Sequence, residues 1–166
     1  MATAVAVLSS FGSDQWDAET YAVLSLAARL SSLVKTRSQA IRLAYQMWRL
    51  NSMLAGFFEA VSNVFEGRVS PSTTPVTPEQ IEDSVRTLRK MHTALETLYE
   101  AAKRSQLTNH SLIAIPLRSM HTYSDEILEL AELLELCQAP EQVQAIFDRS
   151  SKEREQGDIY DLAQIE

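Results

Sequence analysis

The segment from Ala40 to Val64 constrains the fold of this chain more than any other. Eight apolar residues recur in it at alternating steps of three and four: Ala40, Leu43, Met47, Leu50, Leu54, Phe57, Val61 and Val64. On an α-helix this spacing places all of them in one stripe, as in a helical bundle or a coiled-coil seam. A second apolar line lies farther round the same helix and consists of Ile41, Ala44, Trp48 and Ala55. The pattern therefore predicts a helix that is covered on two sides.

Capping signals and apolar periodicity predict three further long helices and one short helix. The expected bounds of the long helices are 14–35, 39–66, 78–105 and 111–138, and the short helix covers 140–153. Thr77, Pro78 and Gln80 form a capping box with proline at the first helical position, which is the clearest helix start in the sequence. The predicted fold is all-α, a four-helix and mainly up-and-down bundle with a shorter fifth C-terminal helix.

Two places along this pattern leave alternatives open. The first is the segment over 35–38, where a capping box at Thr36 and Gln39 favours a break between two helices, as does a slip in the apolar phase. No Gly or Pro marks this break. The alternative is therefore one continuous helix over 14–66. Pro116 lies inside the fourth helical pattern and either kinks that helix or marks its true start. The short turn over 107–109 predicts that the third and fourth helices are antiparallel neighbours.

Length and composition favour a single domain. A chain of 166 residues, of which 45% are apolar, is long enough to bury a sizeable core. We expect a flexible N-terminal arm over 1–13, one bundle domain over 14–156 with an exposed Ser/Thr/Pro connector over 67–77, and a C-terminal tail over 157–166. The one cysteine, Cys137, leaves no disulfide framework and favours a reducing compartment, so we expect a cytoplasmic protein.

Acidic residues are concentrated towards the C-terminus. The formal net charge is −7, and from Asp125 onward twelve acidic residues stand against three basic ones. This balance argues against a nucleic-acid partner, because affinity for nucleic acid comes largely from Lys and Arg. No window has the roughly eighteen uninterrupted apolar residues of a membrane span, so no integral membrane segment is expected.

The three histidines are the only obvious ligand or catalytic candidates. Two His–carboxylate pairs with a spacing of four residues lie on neighbouring predicted helices: His92 with Glu96, and His121 with Asp125. If Leu130 and Leu134 face the core, helical phase directs the second pair to the opposite side of its helix, so the two pairs are expected to diverge. His110 is interpreted as a polar residue at a helix start. We therefore predict no catalytic residue, no metal ligand and no cofactor.

The predicted function is protein–protein interaction without enzymatic activity, by a helical adaptor-like protein that is oligomeric. Exposed apolar patches usually mark a binding partner. The predicted interface consists of apolar residues that the bundle leaves unexplained: Ile41, Trp48, Leu128, Leu136, Ile159, Tyr160 and Leu162. Three alternatives remain open: a sensor or carrier that holds a small apolar ligand inside the bundle, a metal-dependent bundle enzyme, and an amphipathic bundle that acts on membranes.

Overall fold

A computed structural model of the chain describes residues 13–33, 35–65 and 77–136. Within these ranges the chain forms four helices and no strand: α1 (Ser13–Leu33), α2 (Arg37–Phe65), α3 (Pro78–Arg104) and α4 (Ala114–Glu135). The all-α prediction is therefore confirmed for this part of the chain. Residues 1–12 of the predicted arm, nearly all of the connector, the fifth helix over 140–153 and the tail over 157–166 lie outside the described residues, and Ser13, the last residue of the predicted arm, is the first residue of α1.

The chain breaks between α1 and α2, as the capping pattern predicts. Lys35 and Thr36 form a bend. The Gln39 N–H donates to Thr36 Oγ1 over 3.2 Å, and the Thr36 N–H donates to Gln39 Oε1 over 3.1 Å. These two bonds are the reciprocal pair of a capping box, which starts a new helix. The alternative of one continuous helix over 14–66 is wrong.

Helix α3 begins and ends close to the predicted bounds, but the conformation of its end was not predicted. The capping box of Thr77 and Gln80 is present, with Pro78 at the first helical position. At the other end, Gln106 adopts a φ of 60°, and the Leu107 N–H donates to the Ala102 carbonyl over 2.9 Å. This is the Schellman motif, whose left-handed position favours glycine. Leu107 is buried, and its burial holds the turn without a glycine.

Pro116 lies in the first turn of α4, which begins at Ala114. A proline costs little there, because the N–H that it lacks would have no partner within the helix. Pro116 therefore belongs to the start of the helix and does not interrupt it. The observed helix begins three residues later than predicted, because the residues before it form turns.

Helix α3 packs against both α4 and α1, α4 also packs against α2, and a sparser contact joins α1 to α2. Helices α3 and α4 are antiparallel neighbours, as predicted, because His92 contacts Ser124 whereas Tyr99, farther along α3, contacts His121. The polar side chains between these two helices therefore face each other in a register that the short turn fixes.

Helices α2 and α4 run parallel to each other. Asn51 donates to the Pro116 carbonyl, and Phe58 stacks on Tyr123, so contacts advance along both helices together. Successive helices alternate in direction, as in an up-and-down fold. The order of neighbours differs from a simple up-and-down ring, because α4 adjoins α2 and consecutive helices α2 and α3 are not a closely packed pair.

The main apolar line of α2 is buried as predicted. Its described members are Ala40, Leu43, Met47, Leu50, Leu54 and Phe57. In the second line, Ala44 is buried but Ile41, Trp48 and Ala55 are exposed. Among the described residues, the neighbouring helices cover only the face around the main line, so cover on the second side of α2 stays a prediction.

Candidate functional site

Three large apolar side chains form a line on the outside of α2. Ile41 is 53% exposed, Tyr45 is 72% exposed and Trp48 is 48% exposed. They are four and three residues apart, so they share one helical face. We call this line the α2 stripe. Ile41 and Trp48 are predicted interface residues; the structure places both at the surface, and Tyr45 was missed although its spacing connects them.

The α2 stripe is flanked by positive charge. Arg37 is four residues before Ile41, Arg42 is three before Tyr45, and α2 has no acidic residue before Glu59: its basic residues in this stretch are Arg37, Arg42 and Arg49. Among the described residues, neither Arg37 nor Arg42 forms an ion pair. The surface around the stripe is therefore both apolar and basic.

Arg49 differs from the other two arginines because it binds Glu19 of α1. Its two terminal nitrogens donate to the two carboxylate oxygens over 2.9 and 3.1 Å. The hydrogen bond to Glu19 is the largest cause that raises the pKa of Arg49 above its usual value. This bidentate pair ties α1 to α2 beside the α2 stripe and neutralises one of its three flanking cations.

The other predicted interface residues are divided between two regions. Leu136, directly after α4, is 76% exposed, whereas Leu128 is half-buried. The remaining three, Ile159, Tyr160 and Leu162, lie outside the described residues. No described contact joins Leu128 or Leu136 to the α2 stripe, and the interface prediction stays a prediction for all five residues.

A second feature is a polar cluster between α3 and α4. Ser124 Oγ lies 2.9 Å from His92 Nδ1 and donates to Glu96 Oε1 over 2.9 Å. His121 Nε2 lies 3.4 Å from the same Glu96 oxygen. Asp125 lies one turn after His121, at the exposed edge of the group. We call His92, Glu96, His121, Ser124 and Asp125 the α3–α4 polar cluster.

The hydrogen bonds of the α3–α4 polar cluster join His92, Ser124 and Glu96 in one network. His92 Nδ1 lies 3.1 Å from the Ser124 carbonyl oxygen, which can only accept. A proton on Nδ1 would therefore be donated to this carbonyl, and Ser124 Oγ lies 2.9 Å from the same nitrogen. The Ser124 hydroxyl then directs its own proton to Glu96. The resulting chain of donors ends on the carboxylate of Glu96.

The arrangement of Ser124, His92 and Glu96 differs from that of a serine nucleophile with its base. In such a mechanism the imidazole accepts the serine proton, and the carboxylate orients the imidazole. Here the carboxylate of Glu96 accepts a hydrogen bond from the Ser124 hydroxyl itself. Ser124 is also fully buried. The side chain therefore positions Glu96 and does not face a substrate.

The expectation that the two His–carboxylate pairs diverge is wrong. Glu96, His121 and Asp125 each offer a ligand atom, and these three atoms all lie within 4.8 Å of one another. The phase taken from Leu130 and Leu134 misplaced His121, because the buried face of α4 is centred closer to Ser124 and Ala131. This shift turns His121 towards α3.

Tyr99 holds the His121 ring from the other side. Their ring centroids are 4.2 Å apart with an angle of 30° between the planes. Lys103 Nζ lies 5.6 Å from the Tyr99 ring centroid. His121 and Glu96 are both half-buried, so the imidazole is packed on one side and open to solvent near Asp125.

His110 takes no part in the cluster. Its Nδ1 accepts a hydrogen bond from the Leu112 N–H over 3.1 Å, in the turns before α4. His110 therefore lies in the turns three residues before the N-cap Ile113, and not at the helix start as interpreted. Cys137 lies outside the described residues.

No protein-family model matches this chain, and no curated protein or solved structure matches it either. None of the four described helices is long and apolar enough to span a bilayer. Function is therefore inferred from the residues of the chain and their geometry.

Proposed function

We propose that the protein is a non-enzymatic interaction protein that binds an acidic amphipathic helix of a partner protein through the α2 stripe. The observation that carries this proposal is the exposure of Ile41, Tyr45 and Trp48 in one line. The proposal retains the mainly up-and-down bundle, the fifth helix over 140–153 and the cytoplasmic location that the sequence predicts.

The composition of the α2 stripe supports a partner. Scattered single apolar residues are normal on a protein surface and need no explanation. Three large side chains in one line, two of them aromatic, differ from such scattered single residues. Trp and Tyr also dominate the binding energy of many interfaces. An amphipathic helix offers a matching apolar line at the same spacing.

The charges beside the α2 stripe favour an acidic partner over a second copy of this chain. A symmetric dimer would place the same surface against itself. Two antiparallel copies of the stripe would place Arg42 of one copy beside the equivalent arginine flank of the other. Like charges across an interface oppose binding, whereas Glu or Asp on a partner would pair with Arg37 and Arg42. We therefore favour a heterologous partner, and the predicted oligomer becomes an outcome of the test.

Two designed peptide helices test this proposal. One carries leucine on one face and glutamate on the other, and its twin replaces every glutamate with lysine. Fluorescence anisotropy with the full chain should show that the Leu/Glu peptide binds more tightly than its twin. Trp48→Asp should weaken that binding at least tenfold. Tyr21→Asp is the matched control, because Tyr21 is an exposed aromatic residue on α1.

Three other outcomes are informative. Equal affinity for the two peptides, or wild-type affinity in Trp48→Asp, would contradict the proposal. A dimer seen by light scattering in the wild type and lost in Trp48→Asp would replace the acidic partner with a second copy. Tighter peptide binding by a chain lacking 158–166 would show that this acidic segment, with Ile159, Tyr160 and Leu162, competes for the stripe and is itself the occupant.

A further inference from the structure

The α3–α4 polar cluster has the donor atoms of a metal site. His121 offers an imidazole nitrogen, and Glu96 and Asp125 each offer a carboxylate oxygen. His121 and Asp125 are four residues apart on α4, so they share one helical face, and Glu96 reaches them from α3. Ligands from two facing helices are the usual way in which bundles build metal sites. From this arrangement we propose that Glu96, His121 and Asp125 bind one divalent transition-metal ion, with Zn²⁺ as the best-matched probe.

The distances suit a small tetrahedral ion. Zinc binds imidazole nitrogen and carboxylate oxygen at about 2.0–2.2 Å, so two ligand atoms on one ion are roughly 3.3–3.5 Å apart. His121 Nε2 and Glu96 Oε1 are 3.4 Å apart. The largest separation in the group of three is within 4.8 Å. Asp125 is exposed, so its carboxylate is free of the packing that would hold it at this distance.

The charges of the cluster also favour a cation. Glu96 and Asp125 bring two carboxylates close together, and among the described residues no lysine or arginine forms an ion pair with either. A divalent ion would offset both charges. Mixed nitrogen and oxygen ligands suit zinc and its neighbours, whereas Ca²⁺ and Mg²⁺ prefer oxygen ligands alone.

The surrounding hydrogen bonds orient the proposed ligands. The Ser124 hydroxyl donates to Glu96 Oε1 and is itself held by His92. Tyr99 packs against the His121 ring. Such partners fix the orientation of metal ligands and contribute to affinity. With three protein ligands, a fourth position is left for water on the side of Asp125 that faces solvent.

The alternative explanation needs no metal. A protonated His121 would itself pair with the two carboxylates. The two explanations predict different effects of the ligand substitutions on metal affinity. Neither explanation depends on the α2 stripe, so the metal site and the proposed partner site are tested separately.

Calorimetric titration of the full-length protein with Zn²⁺ tests the proposal. The wild type should bind one ion, and His121→Ala, Glu96→Gln and Asp125→Asn should each weaken binding more than about tenfold. Ser124→Ala should weaken binding roughly 10- to 100-fold without removing a ligand. The matched controls are His110→Ala and Glu126→Gln, which alter a histidine and a carboxylate outside the cluster. Far-UV circular dichroism of each variant checks its folding.

Cobalt(II) gives a second readout. Co²⁺ in the same site should produce visible absorption bands that Zn²⁺ removes and that Cys137→Ser leaves unchanged. Loss of the bands in Cys137→Ser would assign binding to the chain's one thiol and overturn the proposal. Absence of stoichiometric binding, or equal affinity in the ligand variants and the controls, would also overturn it and leave the protonated His121 as the explanation.

Discussion

Replacing Asn51 with leucine should increase the free energy of unfolding. Asn51 is 4% exposed, and its Nδ2 donates to the Pro116 carbonyl over 3.0 Å. Its Oδ1, however, is buried with no hydrogen-bond partner among the described residues. Asn51 therefore makes one of the hydrogen bonds that its amide group offers and leaves its acceptor unpaired between α2 and α4.

The size of the expected increase in unfolding free energy follows from the Nδ2 and Oδ1 atoms of Asn51. A buried acceptor without a partner costs about 1–3 kcal/mol, and the one hydrogen bond that is lost contributes about 0.5–1.5 kcal/mol. A carbonyl in the first turn of a helix also accepts the N–H four residues farther along, so Pro116 is not left unpaired. Leucine has a similar size and no polar atom, so the net gain should be about 1 kcal/mol. In a chain of this length that is about 2–4 °C in Tm.

Urea denaturation of the full chain, followed by circular dichroism, measures this gain. Thr20→Val is the control, because Thr20 is also buried but its Oγ1 donates to the Trp16 carbonyl over 2.8 Å. That variant loses a hydrogen bond and relieves no unpaired atom, so it should be neutral or slightly less stable. If Asn51→Leu were less stable than the wild type by about 1 kcal/mol or more, the reasoning would be refuted, and a buried water on Oδ1 would be the better account.

Two further substitutions test other parts of the fold. Gly56→Ala should stabilise the protein by about 0.5–1 kcal/mol. Gly56 lies within α2, and an added Cβ would meet no atom within 4 Å. An unchanged or lower urea midpoint would contradict this prediction. The ion pair with Arg89 lowers the pKa of Glu135 below its ordinary value of 4.5. A carboxylate with a lowered pKa stabilises the folded state above its unfolded pKa and loses that contribution as the pH falls through the folded pKa. The stability difference between the wild type and Glu135→Gln should therefore shrink as the pH falls below the ordinary value, and a difference that stays constant in a pH series at low salt would refute it.

Local signals predicted the starts and the ends of the helices about equally well. The capping boxes at Thr36 and Thr77 are predictable because each side chain bonds to backbone only three residues away. The end of α3 was predicted to within one residue, but its conformation was not, because Gln106 takes a conformation that favours glycine and is held there by the burial of Leu107. Apolar stripes likewise show that a face is buried but not which helix covers it. The pairing of α2 with α4 therefore needed the structure.

The α3–α4 polar cluster shows how a small error in helical phase hides a site. The large residues Leu130 and Leu134 suggested one core face for α4, but Ser124 and Ala131 are more central in it. Serine and alanine do little to mark a buried face in a sequence pattern, because one is polar and both are small. Both nevertheless fit where two helices approach closely. The usable signal was the spacing of Met120, Ser124 and Ile127, which continues the steps of four and three through a polar residue.

The exposure of the α2 stripe limits how tightly any single helix binds to it. Burying a large apolar side chain contributes about 1.5–3 kcal/mol, but Ile41 and Trp48 are already about half covered. The stripe therefore offers roughly 3–5 kcal/mol by this measure, whereas association costs about 4 kcal/mol or more. Apolar burial alone does not hold a partner there, so pairing with Arg37 and Arg42 must supply the rest. Binding of the Leu/Glu peptide should accordingly be weak, on the order of micromolar or weaker, and should weaken further as salt screens the exposed arginines.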